Sequence, residues 1–159
     1  MEQKQRSFNE ALEYGKEGEE IIASIFLSQS FSVMPLYQFE ASSAPLIYYG
    51  TSSFISPDLM LWKNGTSYYV EVKRKSEWKY IPTNSTGIDK RLYEKYKALS
   101  DATGIKLFLF FIQEKMKPTG IYWCEIHNEH TRSFNGYTGY NNKFVPPMIT
   151  FISESLTKI

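Results

Sequence analysis

With 159 residues, 42% of them hydrophobic and 16% aromatic, the chain is long enough to bury the core of one domain covering 1–159. A formal charge of +1 excludes the global basic field of a passive nucleic-acid coat, so any nucleic-acid contact has to come from local clustering. A single cysteine, Cys124, excludes an internal disulfide framework; the polar start MEQKQRSFNE has no apolar signal region and no run reaches the ~18 apolar residues of a membrane span, so a cytoplasmic protein away from the membrane is expected.

Residues 7–29 read as an amphipathic helix, with Phe8, Leu12, Gly15, Ile22 and Phe26 on one stripe and Lys16, Glu20 and Ser24 on the polar side. Glu19 falls on the apolar stripe too. A carboxylate there is costly unless it is paired, protonated or bound to metal; the alternative is a place at the edge of the stripe, from which it reaches water. Gly15 and Gly18 each cost a helix about 1 kcal/mol relative to Ala, which suggests close approach of another backbone or a ligand. Residues 31–39 have strand composition broken by Pro35, as in an edge or bent strand, and 40–53 read as a loop that covers the site.

The stretch 54–75, FISPDLMLWKNGTSYYVEVKRK, reads as two apolar strands joined at Asn64-Gly65, a pair suited to a turn in which both central residues need positive φ. With those two as the loop, Lys63 faces Thr66, Trp62 faces Ser67, and Asp58 faces Glu71. Opposed Cβ atoms stand only about 4.5–5.5 Å apart, and like charges there destabilise the pair. Lys73, two residues past Glu71, points to the same face. A hard divalent cation, held by carboxylates and phosphate oxygens, supplies the remaining charge, which points to a Mg²⁺-dependent phosphodiesterase site.

Residues 77–87 read as an irregular connection, and 88–103 as a second helix with Ile88, Leu92, Tyr96 and Leu99 inward, ended by Gly104. IKLFLFFI, 105–112, is apolar throughout, as in a central strand covered on both faces. Residues 120–126 and 148–153 are further strands around an Asn-, Gly- and Tyr-rich excursion at 128–147. The order predicts an α/β sandwich with a mixed sheet, the second helix serving as the crossover. Cys124, His127 and His130 lack a fourth ligand for a structural zinc site, so Cys124 is read as a core residue.

Pro57-Asp58, followed after twelve residues by Glu71-Val72-Lys73, resembles the signature of the PD-(D/E)XK nuclease superfamily, and Gly15-Lys16-Glu17-Gly18-Glu19 resembles the G-x-x-G-E pattern that precedes it in resolvase-like members. Two other Glu-x-Lys runs, at Glu2 and Glu77, lack a hairpin partner carrying an aspartate. Across 8–112 the element order is similar to the restriction-endonuclease-like αβββαβ core, a central mixed β-sheet flanked by helices. The resemblance implies that Asp58, Glu71 and the Val72 backbone carbonyl bind Mg²⁺ or Mn²⁺, that Lys73 activates or orients the attacking water, and that Glu19 joins the site as a catalytic and metal-binding group. It implies a metal-dependent DNA endonuclease of resolvase-like or phage and mobile-element type. Since one site cuts one strand, paired incision requires a homodimer. The alternatives are a catalytically silent DNA-binding or assembly module and a sequence-specific restriction endonuclease. Arg74, Lys75, Trp78, Lys79, Lys90 and Arg91 are the candidate DNA contacts, within a basic cluster that also takes in Lys63, Lys95 and Lys97.

Overall fold

The computed structural model describes residues 8–36, 45–75, 85–114, 119–128, 131–134, 137–138, 144–145, 147–152 and 156–159. Helix α1 (Phe8–Ser28) is followed by β1 (Ser32–Pro35), the short hairpin β2 (Leu46–Tyr49) and β3 (Ser52–Ile55), then β4 (Leu59–Lys63) and the long β5 (Thr66–Lys75). After β6 (Ser85–Asp89), helix α2 (Lys90–Thr103) leads into β7 (Lys106–Gln113) and β8 (Gly120–Glu125). The chain closes with β9 (Thr131–Phe134), β10 (Tyr137–Thr138), β11 (Phe144–Val145), β12 (Met148–Ile152) and β13 (Thr157–Lys158). Among the described residues no helix is long and apolar enough to cross a membrane.

The main sheet has six strands in the order β1-β4-β5-β7-β8-β13. It is mixed, because β5 and β7 run parallel while the other neighbours are antiparallel. The parallel step needs a crossover, and β6 with α2 supplies it. β6 also joins β12 and β9 in a second sheet of three strands.

Strand alternation sorts the core into two layers. Leu59, Leu61, Val70, Val72, Phe110 and Ile112 face α1, where Ile22 is fully buried and Phe26 packs edge-on against Phe31 and Phe110. Tyr69, Leu107, Leu109 and Phe111 face the other way, onto Tyr93, Tyr96 and Leu99 of α2 and onto Ile88, Ile149 and Phe151 of the smaller sheet. Burying each large side chain of this kind contributes about 1.5–3 kcal/mol.

Several expectations hold in detail. The Asn64-Gly65 turn has both central residues at positive φ, 51° and 77°, and the register pairs Lys63 with Thr66 and Trp62 with Ser67. Pro35 ends an edge strand, and Gly104 caps α2 at φ 69°. Others are corrected. The segment read as a covering loop contains the β2–β3 hairpin, because Gly50, at φ 60°, opens a two-residue turn between Tyr49 and Ser52. The first strand of the central hairpin begins at Leu59 rather than Phe54, which belongs to β3. α2 begins at Lys90, where the Asp89 carboxylate caps the Arg91 and Leu92 amides; Ile88 lies on β6, and Tyr93 rather than Leu92 is buried. Residues 85–87, read as irregular, are part of β6, and the 128–147 excursion contains β9, β10 and β11. A Cβ at Gly18 would lie 3.2 Å from that of Arg74, a real close approach, whereas a Cβ at Gly15 meets nothing within 4 Å.

Candidate active site

The site forms where β4 and β5 part. Their ladder runs to Leu59 opposite Val70, and Asp58 would come next, opposite Glu71. Instead Asp58 leaves the ladder. Pro57 before it has no N–H to give, and the Asp58 carboxylate takes the ladder's place by accepting from the Val72 amide at 2.7 Å. The Asp58 carbonyl is held in turn by the Leu36 amide at 2.8 Å, just past β1. Within a strand residue, N–H and C=O point to the same side, so the Val72 carbonyl also points toward the opening beside Asp58.

Glu71 is 1% exposed. Its Oε1 is paired with the Lys73 ammonium two residues on, while Oε2 is buried with no hydrogen-bond partner among the described residues. A buried carboxylate oxygen left bare costs about 1–3 kcal/mol or more. The Tyr96 hydroxyl, reaching over from α2, faces Glu71 and feels Asp58 and Glu19 as well; burial first and Glu71 second hold this phenol far above its usual range.

Glu19 arrives from α1 half-buried. Burial, then the charge of Glu71, pushes its carboxyl up to about 7. The same two causes, in the same order, raise Asp58 well above the ordinary carboxylate range. For Lys73 burial works downward, yet Glu71, Asp58 and Glu19 outweigh it and the ammonium stays above its ordinary value. Glu19, Asp58 and Lys73 thus each feel the charge of Glu71. Direct contacts join Glu71 to Lys73 and the Asp58 carboxylate to the Val72 amide between them.

Among the described residues no three of His, Cys, Asp and Glu stand close enough to make a preformed metal cage. The donor set nonetheless fits a hard cation. Such ions use oxygen ligands, and Mg²⁺ needs only one or two carboxylates beside waters and phosphate oxygens. Glu71 Oε2 and the Asp58 carboxylate are oxygens of the kind such an ion would take.

The candidate DNA contacts fare differently. Arg74 is bound internally: it donates to the Tyr14 carbonyl at 3.1 Å and to Glu114 at 2.9 Å, pairs with Glu17, and lies 3.8 Å from the Tyr14 ring centroid. Lys90 is 43% exposed and reaches Glu94 at 3.9 Å, and Arg91 is exposed on the first turn of α2. Lys63 is spent on the Gln29 carbonyl at 2.6 Å. The Lys75 side chain, Trp78 and Lys79 lie outside the described residues. Cys124 is a buried core residue whose thiol burial pushes up to about 12. Tyr96 is the neighbour that motif reading missed; helical phase placed it inward, and only the crossing of α2 over β5 sets it above Glu71.

No protein-family model matches the chain, and no curated protein matches it. Among solved structures, Hjc from Archaeoglobus fulgidus, a Holliday junction resolvase from an archaeal hyperthermophile, matches at a TM-score of 0.58 with 11% identity, over 91% of this chain and 95% of that one. At that identity the likeness speaks for the fold. The chain thus has the mixed α/β, restriction-endonuclease-like fold of a Holliday junction resolvase, with Asp58, Glu71 and Lys73 at the point where β4 and β5 diverge.

Proposed function

We propose that this protein is a divalent-metal-dependent DNA endonuclease of resolvase-like type, hydrolysing phosphodiester bonds at the Asp58–Glu71–Lys73 site. The observation that carries the reading is the buried Glu71–Lys73 ion pair, with Glu71 Oε2 lacking a hydrogen-bond partner among the described residues and the Asp58 carboxylate held on the neighbouring Val72 amide. Groups shifted by burial together with a specific charge partner are candidates for a functional site. The resolvase fold supports a nuclease over other hydrolases.

Bound Mg²⁺ or Mn²⁺ would supply Lewis acidity to the scissile phosphate and acidify an attacking water. Asp58, Glu71 and the Val72 carbonyl would hold the ion. Glu19 adds a third carboxylate from the helix side. Lys73 enters as an ammonium, because the carboxylates raise its affinity for the proton; its first role is to orient the water and the phosphate. With the charge of the carboxylates offset by a bound cation, Lys73 would hold its proton less tightly and could pass it on. Lys90 and Arg91, exposed at the start of α2, would meet the DNA backbone. Paired cuts in duplex or branched DNA require two copies of the chain.

The test is a cleavage panel of supercoiled, single-stranded and four-way-junction DNA with Mg²⁺ or Mn²⁺, run beside a measurement of oligomeric state. Metal-dependent products from wild type, lost in Asp58→Ala and Lys73→Ala, support the proposal. Equal products from the variants sink it.

A further inference from the structure

Consecutive residues of β5 face opposite sides of the sheet. Lys73 faces α2 and the carboxylates; Arg74, the next residue, faces α1. Its side chain is 11% exposed and held from three directions. It donates through Nε to Glu114 just beyond β7 at 2.9 Å and through a second nitrogen to the same carboxylate. Another nitrogen donates to the Tyr14 carbonyl at 3.1 Å and pairs with Glu17. The guanidinium plane lies 3.8 Å from the Tyr14 ring centroid, and the Tyr14 hydroxyl closes the circuit by donating to the other Glu114 oxygen at 2.8 Å.

This arrangement is more than a surface ion pair. Tyr14, Glu17 and Gly18 stand at i, i+3 and i+4, on one face of α1. Gly18 is where the helix comes down on the strand, since a Cβ there would sit 3.2 Å from the Arg74 Cβ and 3.5 Å from Ile112 Cδ1. Glu19 is the next residue. An arginine fork that stacks and pairs at once fixes direction as well as distance, which a lysine does not do.

We infer that Arg74 is a positioning residue that clamps α1 to the ends of β5 and β7 and so presents Glu19 to Glu71, rather than a DNA contact. The inference rests on the endonuclease reading of the site. It assigns adjacent residues of one strand to one centre: Lys73 acts there directly, and Arg74 acts from the opposite face through the helix.

The test uses wild type, Arg74→Lys, Arg74→Met, Glu19→Gln and the double variant Glu19→Gln/Arg74→Met. Single-turnover cleavage of a four-way junction over a range of DNA concentrations is measured alongside amide hydrogen exchange across 14–20. Residues that orient a metal ligand typically change activity about tenfold to a hundredfold. Both Arg74 variants are expected to lose that much in turnover with KM unchanged, and Arg74→Met to cost little more once Glu19 is already Gln. A raised KM at unchanged turnover makes Arg74 a DNA contact and overturns the inference. So do losses that multiply in the double variant. If wild type cuts no DNA, the endonuclease reading fails, and exchange alone judges the clamp: faster exchange across 14–20 in Arg74→Met sustains it, and unchanged exchange overturns it.

Discussion

Replacing Lys73 with Met tests the electrostatics of the site without reference to any substrate. The variant keeps the bulk of the side chain and removes the cation that Asp58, Glu71 and Glu19 share. Two unit charges at 4 Å attract by about 4 kcal/mol at an effective dielectric constant near 20. Because the lysine side chain keeps 29% of its exposure, water screens part of that attraction. Exposed pairs yield about 0–1 kcal/mol and breaking a buried pair costs about 3–5, so a net loss of about 1–2 kcal/mol is expected at pH 8. For a chain of this length that lowers Tm by about 2–8 °C.

The sign of the pH dependence follows from the raised carboxyl groups. Glu19 titrates in the fold at about 7 against an ordinary 4.5, so between those values the folded chain holds a proton that the unfolded chain has released. That contribution to stability is complete below about pH 4.5 and is lost as the pH climbs to about 7, with Asp58 acting in the same direction. Without Lys73 both groups rise further. Thermal unfolding of metal-free wild type and Lys73→Met from pH 5 to pH 8 should show a gap, set by the lost Glu71 pair, that widens toward pH 8. A gap independent of pH, or a variant more stable than wild type at pH 8, would refute the account.

Other perturbations address the frame that holds the site. Gly87→Ala places a Cβ 2.5 Å from the Ile149 carbonyl oxygen, so β6 and β12 must separate; a cost of about 1–3 kcal/mol is expected in denaturant unfolding, and an unchanged midpoint would show that the pairing tolerates a side chain. Asp89→Ala removes the cap that receives the Arg91 and Leu92 amides, which should cost about 1 kcal/mol and lower Tm by about 2–4 °C. Phe111→Ala empties a fully buried position packed on Phe151, with an expected loss of about 3–5 kcal/mol; a loss below that of the cap variant would contradict the packing described.

The site was legible because its parts are local. An Asn-Gly turn fixes register, register fixes which residues face each other, and the face of Glu71 and Lys73 follows by alternation. Glu19 was legible for a different reason, as a carboxylate in phase with Ile22 and Phe26. What sequence concealed was non-local. Leu46-Ile47-Tyr48-Tyr49 sits amid Ser, Pro and Gly and reads as loop, yet Gly50 turns it back on Ser52–Ile55. Ile88 has the phase of α2, but pairing with Ile149 draws it into a strand and Asp89 starts the helix after it. Arg74 reads as a phosphate contact because it adjoins Lys73; its partners Tyr14, Glu17 and Glu114 are 40 to 60 residues away in sequence, where no motif connects them.

The most direct measurement is nicking of supercoiled plasmid by wild type and Asp58→Ala as Mg²⁺ is titrated from zero. The account predicts no nicking without metal, saturable nicking by wild type, and none by Asp58→Ala at any Mg²⁺ concentration. Nicking that persists in Asp58→Ala, or that ignores Mg²⁺ and Mn²⁺ in wild type, would contradict it.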